Sequence, residues 1–234
     1  MKSQTAINKL VEHFFRRESG KIISVLTGVF GTANFNLVED IVQDTMIEAI
    51  SKWTYQGVPE NPVGWLYTVA KNKALNALKR ESYQENYISG LSRFPNGETT
   101  VELSTSDIFS EEIIADEQLR MMFMCCHPSI SKDSQIALIL RTLCGFNISE
   151  IAKAFLTNNE SINKRLVRAR KAIRQDHIPF EVPASQELDQ RVEVVLEAIY
   201  LLFNEGYSAS SGDKVIRMEL CEESIRLAEM MVNH

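Results

Sequence analysis

Apolar residues recur at helical spacing along nearly all of this 234-residue chain, and the pattern stops once, from Glu81 to about Ser110. Tyr, Ser, Asn, Gly, Thr and acidic residues dominate that stretch, with Pro95 and Gly97 among them. So long a segment without periodicity does not belong inside one compact domain and reads as a linker. The expected fold is all-α: two small helical domains, an acidic linker between them, and a C-terminal helical extension. The expected division is 1–90, a linker over 91–110, a second domain over 111–180, and the extension over 181–234. Only 10 Gly and 6 Pro are present, which argues against a turn-rich β-sandwich.

Four helices are expected before the break. Ile7, Leu10, Val11, Phe14 and Phe15 mark one; Ile22, Ile23, Val25, Leu26, Val29 and Phe30 mark a second, ending at Gly31. A third starts near Asn36, a good cap, and turns Val38, Ile41, Val42, Met46, Ala49, Ile50 and Trp53 inward. Asn61 followed by Pro62 is a cap and a first-turn proline, so the fourth spans about 61–80. After the break, Ile113 to Met124 form a stripe ended by Pro128, and Asp133–Cys144 form another helix ending at Gly145. Ser149 is the expected cap of a short helix, and the turn Leu156–Asn159 leads into a basic helix over about 160–175.

The net charge of −6 speaks at first against a nucleic-acid partner, but its distribution reverses that. Residues 181–234 hold 11 acids and 4 bases, and 81–118 hold 9 acids and one base. The remainder, 1–80 and 119–180, carries 20 bases against 11 acids. Basic and acidic segments alternate, which suggests basic modules facing nucleic acid.

The strongest motif lies at Gly145–Arg174. A turn, a short helix with small Ala152 at a close crossing, and four loop residues precede a helix with Lys164, Arg165, Arg168, Arg170, Lys171 and Arg174. That is a helix-turn-helix pattern, whose second helix enters the major groove. Ile162, Leu166, Ala169 and Ile173 hold it to the scaffold; Ser161, Asn163, Lys164 and Arg165 face outward near its start, and Arg168 and Lys171 suit phosphates. In the 61–80 helix, Thr68, Asn72, Asn76 and Lys79 share a face, with Lys71, Lys73 and Arg80 nearby and no acid from Asn61 to Arg80. Amides and cations on one face suit exposed bases and backbone; Trp65 and Tyr67 could add stacking, although Trp65 is expected in the core.

Cys125-Cys126-His127 lacks the further ligands a metal needs, so buried thiols and no cofactor are expected. The chain has no Walker A, G-x-S-x-G or G-x-G-x-x-G motif, and nothing argues for an enzyme. Acid pairs such as Glu39-Asp40 look like ordinary helix surface. With no membrane-length apolar run, no secretory h-region and no disulfide framework, a cytoplasmic protein without a membrane partner is expected.

At these residues the chain resembles bacterial RNA polymerase sigma factors of the extracytoplasmic-function group. Val38-Glu39-Asp40-Ile41-Val42-Gln43-Asp44-Thr45 is similar to the family's D-x-x-Q-[DE]-T helix, which docks on the polymerase clamp. Pro62–Arg80, with Trp65-Leu66-Tyr67 and Ala70-Lys71-Asn72, is similar to the helix that reads the −10 element; Gly145–Arg174 is similar to the −35-binding domain. The resemblance implies that Asp40, Gln43 and Asp44 bind polymerase. It implies −10 contacts by Thr68, Lys71, Asn72, Asn76, Lys79 and Arg80, and −35 contacts by Ser161, Asn163, Lys164, Arg165, Arg168 and Lys171. The implied partners are core RNA polymerase and promoter DNA, with an anti-sigma factor, another regulator, or the extension in cis as control. The acidic linker would lie in a basic channel of polymerase. The family more often has a basic residue where Asn163 stands and a small one where Lys164 stands, so its promoter preference does not transfer.

Phe123–Pro128 and Tyr200–Ser208 resemble a subgroup with a longer, TPR-like C-terminal extension, so the natural protein is expected to continue beyond His234. In the extension, Val195, Leu196, Ile199, Leu202 and Phe203 are expected to pack against another part of the chain or a second copy, with Asn204–Asp213 as a turn-like interruption. Two rival readings explain less. A helix-turn-helix regulator that never binds core accounts for 133–175 but not 38–80; a helical interaction protein leaves both basic helices as mere surface.

Overall fold

The computed structural model describes residues 2–82, 104–208 and 216–233. The chain divides into two compact units, Met1–Ile114 and Ala115–His234, and the described residues are helical without strands.

The first unit is built from α1 (Lys2–Phe30), α2 (Phe35–Gln56), α3 (Pro62–Ser82) and a single turn, α4 (Thr105–Ile108). The two stripes expected at the start form one continuous helix. Ser24 keeps its hydroxyl satisfied by donating to the Gly20 carbonyl at 2.7 Å, and Glu18, Ser19 and Gly20 are buried in the middle of α1. The heart of the unit is Ile22, Val25 and Leu26 from α1, Val42, Ala49 and Trp53 from α2, and Leu66 and Ala70 from α3. Phe14, Trp53 and Trp65 meet edge to face at 5.7 and 5.5 Å, the arrangement that ring quadrupoles favour. Asn36 is not the cap of α2. A 3-10 turn over Thr32–Asn34 leads into it, and the Asn34 amide instead donates to the Phe30 carbonyl. Asn61 does cap α3, its Oδ1 accepting the Gly64 N–H at 2.8 Å.

Segment 83–103 of the expected linker lies outside the described residues. In the segment after it, Ser104 and Asp107 close a capping box around α4, and the following Phe109 stacks on Tyr67 of α3 at 4.3 Å.

The second unit contains α5 (Glu111–Cys125, which begins in the first unit), α6 (Lys132–Thr142), α7 (Ile148–Ala154), α8 (Asn159–Gln175), α9 (Ser185–Tyr207) and α10 (Met218–Asn233). The last turn of α5 and the residue after it, Met121 through Cys126, are buried. Helix α6 packs against α7 and α8 and also against α9, which in turn pairs with α10. Gly145 ends the α6 segment at φ +65°, where the Phe146 N–H reaches back to the Leu140 carbonyl. Only glycine adopts that left-handed geometry without strain, so the turn residue was visible in the sequence.

The extension is folded, but two expected packing residues are not buried. Val195, Ile199 and Leu202 lie inside, whereas Leu196 is 50% and Phe203 39% exposed. Both lie on the adjacent helical stripe with exposed Tyr200 and Tyr207, so the described residues of the chain do not cover them, and of the two expected partners a second copy is left for that stripe. The expected interruption at Asn204 starts later, because α9 runs on to Tyr207. Gly206 is there for a close helix crossing: a Cβ on it would come within 2.7 Å of Cys221 Sγ and 2.9 Å of the Cys221 nitrogen. No described helix is long and apolar enough to cross a membrane.

Candidate nucleic-acid and polymerase interfaces

The helix-turn-helix is made by α7 and α8, and its cap is Asn147 rather than Ser149. Asn147 Oδ1 accepts the Glu150 N–H at 2.9 Å while Glu150 Oε2 accepts the Asn147 N–H at 2.9 Å, satisfying both orphan donors at once. The turn carries Leu156 at φ +50°, almost wholly exposed, with the next N–H, that of Thr157, bonded back to the Ala152 carbonyl at 2.8 Å. Asn158 then caps α8 through the Ser161 N–H. Ile162, Leu166, Ala169 and Ile173 are buried, as their spacing predicts.

Asn163, Lys164, Arg168 and Lys171 are exposed on the outward side of α8, so the structure brings these four together. Lys164 pairs with Glu160 on its own helix at 2.7 Å. Ser161 is half-buried. Arg165 differs from its expected outward position: it pairs with Asp133 at the start of α6 at 2.9 Å, and its guanidinium lies 5.1 Å from the Phe155 ring centre. It therefore braces α8 against α6 and α7. Asp133 and Phe155 were not expected to take part, because a contact between residues so far apart in the chain leaves no periodic signal. Val167, an apolar residue exposed on the outward side, is legible from helical phase alone.

On α3, Thr68, Asn72 and Asn76 are exposed and Lys71 is half-buried, while the side chains of Lys79 and Arg80 lie outside the described residues. The Thr68 hydroxyl donates to the Gly64 carbonyl at 2.8 Å. Tyr67 is not available for base stacking. It is buried, donates to Glu18 Oε2 at 2.7 Å, and is covered by Phe109. Trp65 is half-buried, with the Lys52 ammonium 5.9 Å from its ring centre. Lys73 is tied to Glu48 of α2 at 3.0 Å; the same carboxylate holds Lys52 at 2.8 Å, and these two lysines keep the Glu48 carboxyl below its usual pKa.

On α2, Asp40, Gln43 and Asp44 are all exposed, opposite buried Ile41, Val42 and Met46. Ile47, one turn on from Asp44 and Gln43, is also exposed, adding an apolar spot to an acidic face. Glu39 is an exception to the surface reading of the Glu39-Asp40 pair: it is buried. All four cysteines are buried and free, and burial pushes the Cys126 thiol up to about 12, which makes it a poor nucleophile or ligand.

Three family models match the amino-acid sequence in chain order: Sigma-70 region 2 over 14–83, Sigma-70, region 4, over 120–173, and a family of unknown function, DUF6596, over 191–234. An uncharacterized protein of Rhizobium meliloti (strain 1021) is 32% identical over 204 residues, 85% of this chain and 47% of that protein. The chain thus spans about half the length of that relative. The ECF RNA polymerase sigma-E factors of Escherichia coli (strain K12) and Salmonella typhimurium (strain LT2) are each 28% identical over 140 residues, covering 58% of this chain and 71% of theirs. No solved structure matches.

Proposed function

Since the chain belongs to the extracytoplasmic-function group of the sigma-70 family, we propose that it is an alternative sigma factor, a non-enzymatic subunit that binds core RNA polymerase and directs it to promoters. One observation carries the reading: two separate compact units each present a basic or amide-rich helix face, in the order region 2 then region 4. Asp40, Gln43 and Asp44, with Ile47 beside them, are the docking face for polymerase. Carboxylates placed outward on α2 repel phosphate and suit a basic protein surface. Thr68, Lys71, Asn72 and Asn76, extended by Lys79 and Arg80, take the −10 element. Asn163, Lys164, Arg168 and Lys171 take the −35 element, with Ser161 and Arg165 shaping the helix that carries them. Its place of action is the cytoplasm, where polymerase works. The acidic linker occupies a basic channel of polymerase.

Run-off transcription by core polymerase with and without the chain tests this reading. Specific initiation that appears only with the chain supports it, and Asp44→Arg should abolish both core binding and run-off product while leaving the fold intact. A chain that binds duplex DNA yet never programs core is a helix-turn-helix regulator instead.

A further inference from the structure

The extension reaches the helix-turn-helix through a buried charge cluster. Arg217, immediately before α10, lies with its Nη1 2.9 Å from Glu150 Oε1 and 3.3 Å from Glu205 Oε1, and all three residues are buried. Glu219 adds a longer pairing to Arg217 Nε at 3.7 Å. The backbone fixes the arginine as well: its N–H donates to the Gly206 carbonyl at 2.7 Å, at the α9–α10 crossing that requires glycine. Glu150 is the capping-box residue of α7, so its two oxygens serve two segments: Oε2 closes the cap at Asn147 and Oε1 meets the extension.

We propose that Arg217 is a positioning residue for DNA binding: it neutralises and holds Glu150 at the start of the helix-turn-helix, making α9–α10 a working part of the −35 module rather than an appendage. The inference rests on the reading of α7–α8 as that module. Two carboxylates meet at this guanidinium away from water. Without it, Glu150 and Glu205 lose the buried cation they share, and buried carboxylates relieve such a loss by moving into solvent. For Glu150 that movement opens the Asn147 cap and exposes an anion on the unit that must approach phosphate. The acidic extension therefore promotes DNA binding through one cation, although its own net charge opposes it.

The test is a charge cycle in the full chain with Arg217→Met, Glu150→Gln and the double variant. The probe is a duplex selected by the wild-type chain from a randomised pool, and the second readout is amide exchange over Asn147–Ala152. Arg217→Met is expected to weaken duplex binding and speed α7 exchange by about tenfold or more, Glu150→Gln to change both little, and the double variant to regain most of the loss. Rescue by removing the opposing charge is the signature of neutralisation, since a purely space-filling role gains nothing from it. Wild-type behaviour of Arg217→Met overturns the proposal, and so does a double variant as impaired as Arg217→Met. If Arg217→Met does not fold, the double variant decides by the same criterion. A wild-type chain that selects no duplex defeats the −35 reading instead, and the exchange measurements still decide whether Arg217 controls the Glu150 cap.

Discussion

Helices α3 and α8 are both basic, and they hold their charges differently. On α8 the apolar and charged residues separate cleanly: four buried side chains on one side, and Lys164, Arg168 and Lys171 exposed on the other with Asn163. A rigid rod with one cationic side suits the major groove of a duplex. On α3 the described outward face carries Thr68, Asn72 and Asn76, with Lys71 half-buried and Lys73 tied to Glu48. Hydrogen-bonding side chains along one outward face suit bases that are already exposed. The difference teaches that counting lysines and arginines overestimates a DNA face wherever the protein supplies its own acids.

The largest test breaks the comparison at the cores. Leu66→Ala in α3 and Leu166→Ala in α8 each remove a fully buried side chain and should cost about 2–5 kcal/mol. If the two units unfold separately, calorimetry will show each substitution lowering one transition and sparing the other. A common shift of both would mean one cooperative unit.

Next comes the role of Arg165. Should it act as a brace, Asp133→Ala and Arg165→Ala will weaken duplex binding alike, with a stability loss of about 1 kcal/mol because the pair is partly exposed. Loss of binding in Arg165→Ala alone would return this arginine to the DNA surface. By contrast, Lys171→Ala touches no described partner and should act on DNA only. Titrations over a range of salt should find its log–log slope reduced by about 0.9.

The finest distinction concerns α3. Asn72→Ala and Asn76→Ala should each weaken binding to a single-stranded −10 oligonucleotide by about 1 kcal/mol and leave duplex binding by α8 unchanged. Glu48→Gln sharpens the contrast further, releasing Lys73 for the nucleic acid at a stability cost under about 1 kcal/mol. The Glu48 carboxyl is held below its usual pKa in the folded chain. Its contribution is therefore present above the ordinary carboxylate range and is lost as pH falls through the lowered folded value. Acid unfolding of Glu48→Gln should lack that step.

Much of the architecture was legible along the chain, because helices announce themselves through local repetition. The α8 stripe of Ile162, Leu166, Ala169 and Ile173, the Asn61 cap and the Gly145 turn all depend on neighbours within a few residues. So does the outward placement of Asp40, Gln43 and Asp44. Tertiary structure alone decided what happens where two such elements meet. Tyr67 is polar-aromatic and on a basic helix, yet Glu18 and Phe109 draw it inside. Arg165 has the sequence context of a base reader, yet Asp133 and Phe155 claim it. Gly206 looks like a turn residue and is a helix crossing; Leu196 and Phe203 look like core and face solvent. Periodicity reports the phase of one helix about its own axis, whereas burial and charge pairing depend on which neighbour arrives on which side, and that partner is encoded tens of residues away.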